Sequence, residues 1–161
     1  MNDDERRERF ETAYQSRPPW DLGRPQKPFI EAADRIRGAV LDVGCGTGDN
    51  ALFFAQRGHA VLGIDFVAYP IQEARRKADN LGLDVEFAEM DVLNLKDLDR
   101  RFDSVIDCGL FHVLGDEDRQ PYVNSLAAVI RAGGRVFLMC FSDKEPGDRG
   151  PRRITRQEIQ E

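Results

Sequence analysis

The chain has 161 residues, enough for one domain with a single substantial core, and its 41% hydrophobic and 32% charged content excludes a fibrous or disordered polypeptide. Its 23 basic and 29 acidic residues leave a formal charge of -6, which opposes attraction to phosphate backbones and anionic lipid, so neither nucleic acid nor a membrane is an expected partner. Apolar runs too short to span a bilayer, the signal-less N-terminus "MNDDERRERF", three widely spaced cysteines and only two histidines point to a cytoplasmic protein with free thiols and no metal centre.

Two amphipathic stretches come first. "DDERRERFETAYQS" is helical in pattern, with Phe10, Ala13 and Tyr14 on one face, until prolines stop it. "KPFIEAADRIR" sets Phe29, Ile30, Ala33 and Ile36 at helical spacing before Gly38. Between them "RPPWDLGRPQ", Arg17 to Gln26, holds the only tryptophan, Trp20, among three prolines. Residues 1–37 are therefore expected to form a helical arm ahead of a core at residues 38–161.

From residue 39 the pattern changes. "AVLDVG" reads as a buried strand, "GDNALFFAQRG" as a helix ended by Gly58, "AVLGID" as a second strand, and "PIQEARRKADNLG" as a helix with Pro70 in its first turn. "VEFAEMD", "FDSVIDC" and "RVFLMCFS" follow as strands, and "EDRQPYVNSLAAVIRAGG" supplies a helix and its glycine stop between the last two. Such alternation predicts an α/β fold, a doubly wound parallel sheet with helices on both faces, whose ligands bind beyond the carboxyl ends of the strands. "TRQE" at Thr155 to Glu158 has capping-box spacing and predicts a final helix start.

The chemistry concentrates at those strand ends. "LDVGCGTGD" joins the first strand to the first helix, and Gly44, Gly46 and Gly48 let its backbone turn sharply and approach a ligand. The spacing is GxGxG, and Asp49 stands where a dinucleotide loop has its third glycine, so its charge opposes a pyrophosphate. Asp42, just before the loop, suits a ligand carrying an amino group. Asp65 closes the second strand and can accept from a ribose diol, a device that nicotinamide enzymes share. Asp91 can accept from an adenine amine while Met90 packs on the ring and Phe66 covers its other face. Taken singly, these last residues also fit plain structural roles.

"VLDVGCGTGDNALFFAQRGHAVLGIDF", "EFAEMDVLNL" and "FDSVIDCGLFHVL" followed by "YVNSLAAVIRAGGRVFLMCFS" resemble the class I S-adenosylmethionine-dependent methyltransferases over about residues 38–142. The WDxGxP segment before the first strand resembles their thiopurine, thiol and halide branch, where it closes over the cofactor. The resemblance implies S-adenosylmethionine as cofactor, its methionine end against Gly44, Cys45 and Gly46 with Gly48 completing the loop, and Asp42 near its amino group. It also implies Asp65 on the ribose, Phe66, Met90 and Asp91 around the adenine, Trp20 as cover, and Asp107 and Cys108 beside the methionine portion. Leu110, Phe111 and His112 then face the substrate together with Trp20. The family sheet has seven strands, so this chain, with five, is expected to lack the last two.

The function expected is methyl transfer to a small thiol, halide or aromatic hydroxyl by in-line displacement, yielding S-adenosylhomocysteine; the alternative is a fragment that binds the cofactor without catalysis. His112 is the candidate general base, and its alternative is a histidine hydrogen-bonded within its own loop. Cys45 and Cys108 also read as small packing residues, and His59 as a surface residue. Arg149, Arg152, Arg153 and Arg156 form either a solvated run or the wall of an anion pocket. Trp20 either roofs the cofactor or pins the arm to the core. The chain is expected to act as a monomer or homodimer.

Overall fold

The computed structural model describes residues 3–160. Its centre is β1 (Val40–Val43), paired in parallel with β2 (Val61–Asp65) on one side and β4 (Phe102–Cys108) on the other. β3 (Glu86–Glu89) extends the sheet beyond β2, and β5 (Ile130–Met139) beyond β4, giving the order β3-β2-β1-β4-β5. Every residue of β1 and β2 is buried, which is why both appear in the sequence as short apolar runs broken only by Gly63 and the acids Asp42 and Asp65.

Helices close both faces. On one face α2 (Lys27–Glu31), α3 (Asp49–Gln56) and α4 (Ala68–Leu81) bury Phe29, Ala51, Phe54, Ile71, Ala74 and Ala78 against Val40, Val61, Phe87 and Ile106. On the other, α5 (Asp116–Val129) and a 3-10 helix, Val92–Leu98, cover Leu41, Val43, Ile64 and Val105. The sheet order reverses between β1 and β4, so the crevice at their carboxyl ends is where a ligand of this architecture lies. Across that edge runs α1 (Asp3–Tyr14).

Three boundaries differ from the sequence expectation. The helix expected over 27–37 breaks at Glu31 and resumes as a 3-10 turn, Ala33–Arg35, because Ile36 is already extended and feeds β1 through Gly38 at φ +61°. Phe29, Ala33 and Ile36 are all buried nonetheless, so the apolar face survives the break. α5 ends at Val129 rather than at the glycines, since Ile130 pairs at once with Phe102. A register shift before Arg135 absorbs the extra residues, with Gly133 at φ +79°. Finally, β5 stops at Met139. Beyond it, Thr155 and Glu158 form the expected reciprocal cap at the start of α6 (Arg156–Gln160): the Glu158 amide donates to Thr155 Oγ1 at 3.1 Å, and the Thr155 amide to Glu158 Oε2 at 2.7 Å.

Candidate active site

The three loop glycines serve three different neighbours. A Cβ at Gly44 (φ +65°) would lie 3.2 Å from Leu110 Cβ, and one at Gly46 (φ +53°) would lie 2.8 Å from the Tyr14 hydroxyl. One at Gly48 (φ +82°) would meet Ala74 Cβ at 2.8 Å and Phe87 Cζ at 2.9 Å. Gly44 and Gly46 therefore line the crevice, while Gly48, expected to complete the ligand loop, lets α4 and β3 pack against the start of α3.

The strand-end carboxylates divide in the same way. Asp42 is fully buried and neither of its oxygens has a partner in good hydrogen-bond geometry; burial, with Asp107 and Asp65 nearby, pushes its pKa well up, opposed only by the Ala51 amide. Asp65 accepts the Gly46 amide on Oδ2 and the Val67 amide on Oδ1, both at 3.0 Å, yet burial still raises its pKa to about 6. Asp107 stands in register with Val43, on the sheet face opposite to Asp42, and is fully buried. Its carboxylate takes the Tyr122 hydroxyl at 2.7 Å, the Leu110 amide at 2.8 Å and the Phe111 amide at 3.1 Å. Asp107 thus holds the turn after β4 in shape rather than facing a ligand.

That turn carries the remaining expected residues. Leu110 stands over Gly44. Phe111 is 7% exposed and packs on Tyr122 and under the Arg119 guanidinium, 5.1 Å from its ring, so it belongs to the core and not to the substrate side. His112 Nδ1 accepts the Phe141 amide at 3.1 Å, and burial followed by the charge of Arg153 lowers its pKa. The ring is accordingly neutral with its proton on Nε2, which is not the arrangement of a base at that nitrogen. Cys45 Sγ faces Gly63 and Phe87, and burial raises its pKa; burial likewise pushes Cys108 up to about 12, so both thiols are inert packing groups.

On the adenine side, Phe66, Met90 and Asp91 follow β2 and β3 as expected. Asp91 caps the 3-10 helix by accepting the Leu93 amide at 2.9 Å, and the Met90 amide donates to Asp65 O at 2.9 Å. Phe66 meets Phe10 edge-on at 5.8 Å and lies under the Arg7 guanidinium.

Trp20 is 47% exposed; it packs edge-on against Phe10 and Tyr14, and its Nε1 donates to the Tyr14 hydroxyl at 3.4 Å. The group over the loop is Tyr14, which sequence reasoning assigned only to a helix face. Asp21 was also missed: its Oδ1 accepts from Thr47 Oγ1 at 3.1 Å, and Lys77 Nζ donates to Thr47 Oγ1 at 2.8 Å and to Asp49 Oδ1 at 2.7 Å. The Gln26 amide donates to Asn50 Oδ1 at 2.9 Å. The tryptophan segment is thus docked on the loop by its polar residues. Among the C-terminal arginines, Arg153 donates to the Pro151, Gly147 and Arg149 carbonyls, and Arg152 pairs with Asp116 and Glu158. They organise the C-terminal segment.

A parallel sheet with its glycine loop at the first strand end, an acidic residue closing the second and a crevice at the order reversal defines a Rossmann-like, nucleoside-binding protein. A family described as methyltransferase domain matches residues 40–134, and the chain belongs to it. The chain is 33% identical over 94% of its length to 2-heptyl-1-hydroxyquinolin-4(1H)-one methyltransferase of Mycobacteroides abscessus, covering 73% of that protein. A solved structure concerned with conversion of a disulfide bond into a thioacetal group during echinomycin biosynthesis is 39% identical and superposes with a TM-score of 0.82, over 86% of this chain and 60% of that one. The 1,6-didemethyltoxoflavin-N1-methyltransferase of Burkholderia thailandensis, solved with 1,6-didemethyltoxoflavin and S-adenosylhomocysteine, is 28% identical with a TM-score of 0.76, over 95% of this chain and 72% of that one.

The cofactor of this family is S-adenosylmethionine, and the residues here fit it. An ionised carboxylate buried without a partner is costly, and the cofactor's ammonium is the kind of group that removes the penalty at Asp42. Asp65 keeps lone pairs for a ribose diol after its two amide bonds. When bound, the cofactor supplies an electrophilic methyl group on a sulfonium.

Proposed function

We propose that this chain transfers the methyl group of S-adenosylmethionine to a small-molecule acceptor, a thiol, halide or aromatic hydroxyl, with the aromatic hydroxyl favoured. The observation that carries the reading is the orphaned, fully buried carboxylate of Asp42 beside Gly44 and Gly46. The relative named for 2-heptyl-1-hydroxyquinolin-4(1H)-one, a flat ring compound bearing a hydroxyl, favours this kind of acceptor, whereas the 1,6-didemethyltoxoflavin enzyme is by its name an N1-methyltransferase. The protein's part is to bind, orient and exclude water: Asp42 and Asp65 hold the two polar ends of the cofactor, Phe66, Met90 and Asp91 surround its base, and α1 closes the crevice through Tyr14. Leu110 and His112, on the turn clamped by Asp107, border the acceptor.

The WDxGxP segment, docked through Asp21 and Thr47, supports kinship with the thiopurine, thiol and halide branch, with residues 1–37 acting as a lid on a core at 38–161. The net charge of -6 favours an enzyme without a nucleic-acid partner, and the reading places it in the cytoplasm as a monomer or homodimer. Among the described residues no helix is long and apolar enough to cross a membrane. Calorimetry with S-adenosylhomocysteine, followed by mass analysis of a thiol, halide and phenol panel incubated with S-adenosylmethionine, tests the reading. Micromolar binding and a +14 Da product are expected, roughly in the range of ordinary enzyme affinities. Binding without any product identifies a cofactor-binding protein that does not catalyse, and no binding refutes the proposal.

A further inference from the structure

Among the described residues around the post-β4 turn, the carboxylates are not positioned to take a proton from an acceptor. Asp107 is sealed by Tyr122 and two amides, and Asp42 lies on the other sheet face. Among the described residues on that turn the titratable ring is His112, and the Phe141 backbone fixes its state; the Tyr14 phenol, over the glycine loop, is held protonated by burial. An amide N–H can only donate, so Nδ1 must accept and the ring proton resides on Nε2. That nitrogen sits over Gly109 at the end of β4, where a Cβ would come within 3.1 Å of it, and it makes no bond to the described residues. The charged group facing the ring is Arg153, whose guanidinium is itself held by loop carbonyls and lies over Phe141. A neutral donor beside a fixed cation suits an anion.

We propose that His112 is a hydrogen-bond donor, through Nε2, to an acceptor that is bound already ionised, an aromatic hydroxyl or thiol acidic enough to lose its proton near neutral pH. The inference rests on the methyltransferase reading above. The acceptor's proton goes to solvent before transfer. Its lone pair then forms the bond to the methyl carbon as the carbon–sulfur bond breaks, and that bonding pair stays on sulfur. An anion and a sulfonium become two neutral products, and no proton is left for the protein to remove. Because the donor stabilises the ionised acceptor before reaction, its effect falls on acceptor binding and on the bound acceptor's pKa, with kcat at high pH little affected.

The test uses 4-nitrophenol, whose ionisation is visible by absorbance, bound in the presence of S-adenosylhomocysteine. Wild-type protein is expected to lower its apparent pKa by about one unit, a tenfold shift in ionised fraction. His112→Ala abolishes the shift, and His112→Gln, which keeps a donor but offers no base, restores most of it. Nitrogen NMR of wild-type protein should show the Nε2–H tautomer from about pH 7 to 9. An Nδ1–H tautomer, a Gln variant as defective as Ala, or nitrophenol that fails to bind or binds without a pKa shift overturns the inference. Calorimetric binding of S-adenosylhomocysteine is measured on the same samples; its loss in wild-type protein overturns the methyltransferase reading instead.

Discussion

Asp42 and Asp65 make opposite demands on pH and substitution. Asp42→Asn removes the charge that an ammonium would neutralise, so S-adenosylhomocysteine affinity should fall about tenfold to hundredfold. The melting temperature should hold or rise, because the free protein loses an unpaired buried carboxylate. Asp65 and Asp107, raised to about 6, bind protons more tightly folded than unfolded. The native state therefore carries the excess protons between about pH 4 and 6, and stability falls as pH rises through that window. Cofactor affinity moves the other way, since a ribose diol is best held by the ionised form of Asp65. Calorimetry from about pH 5 to 8 should show affinity climbing through 6, and Asp65→Asn should flatten the curve. The glycines separate just as sharply. Gly48→Ala forces an Ala side chain to φ +82° against Ala74 and Phe87 and should destabilise the fold by about 2–4 kcal/mol in urea titration. Gly46→Ala meets only the Tyr14 side chain, so beyond the roughly 1 kcal/mol of backbone strain at φ +53° it should act mainly by displacing α1.

At the scale of elements, α1 and the tryptophan segment behave as one unit, with Trp20 as the pin between Phe10 and Tyr14. Trp20→Ala should speed tryptic cleavage after Arg9 several-fold and lower cofactor affinity only through the loosened Tyr14. The parallel sheet was legible in the sequence because β1 and β2, buried throughout, are apolar apart from Gly63, Asp42 and Asp65, and because glycines and a strand-end acid mark the crevice. The arm's part was not legible: apolar spacing placed Tyr14 on a helix face but carries no information about which loop that face meets. Phe111 and His112 show the same limit. Adjacent residues of one turn go to the core and to the crevice edge, and the state of His112 depends on an amide 29 positions away. The end of α5 was misjudged because the glycines relieve a strand bulge and not a helix terminus.

Over the whole molecule, both described ends of the chain converge on the first turn of α5. Arg6 pairs with Asp118 at 2.6 Å, Arg119 with Glu158 at 2.8 Å, and Arg152 with both Asp116 and Glu158. Arg119→Ala should raise amide exchange across α6 and the preceding loop while the β1 and β2 amides stay protected. On the far side of the crevice Arg7 pairs with Glu89 at 2.7 Å. Successive arginines thus fasten α1 to both banks, and the Tyr14 hydroxyl leaves no room for an atom above Gly46. On the proposed lid reading, cofactor arrival and departure share a single gate, opened by parting two ion pairs. Added salt should accelerate both steps together in stopped-flow records, so that residence time shortens while the dissociation constant changes far less.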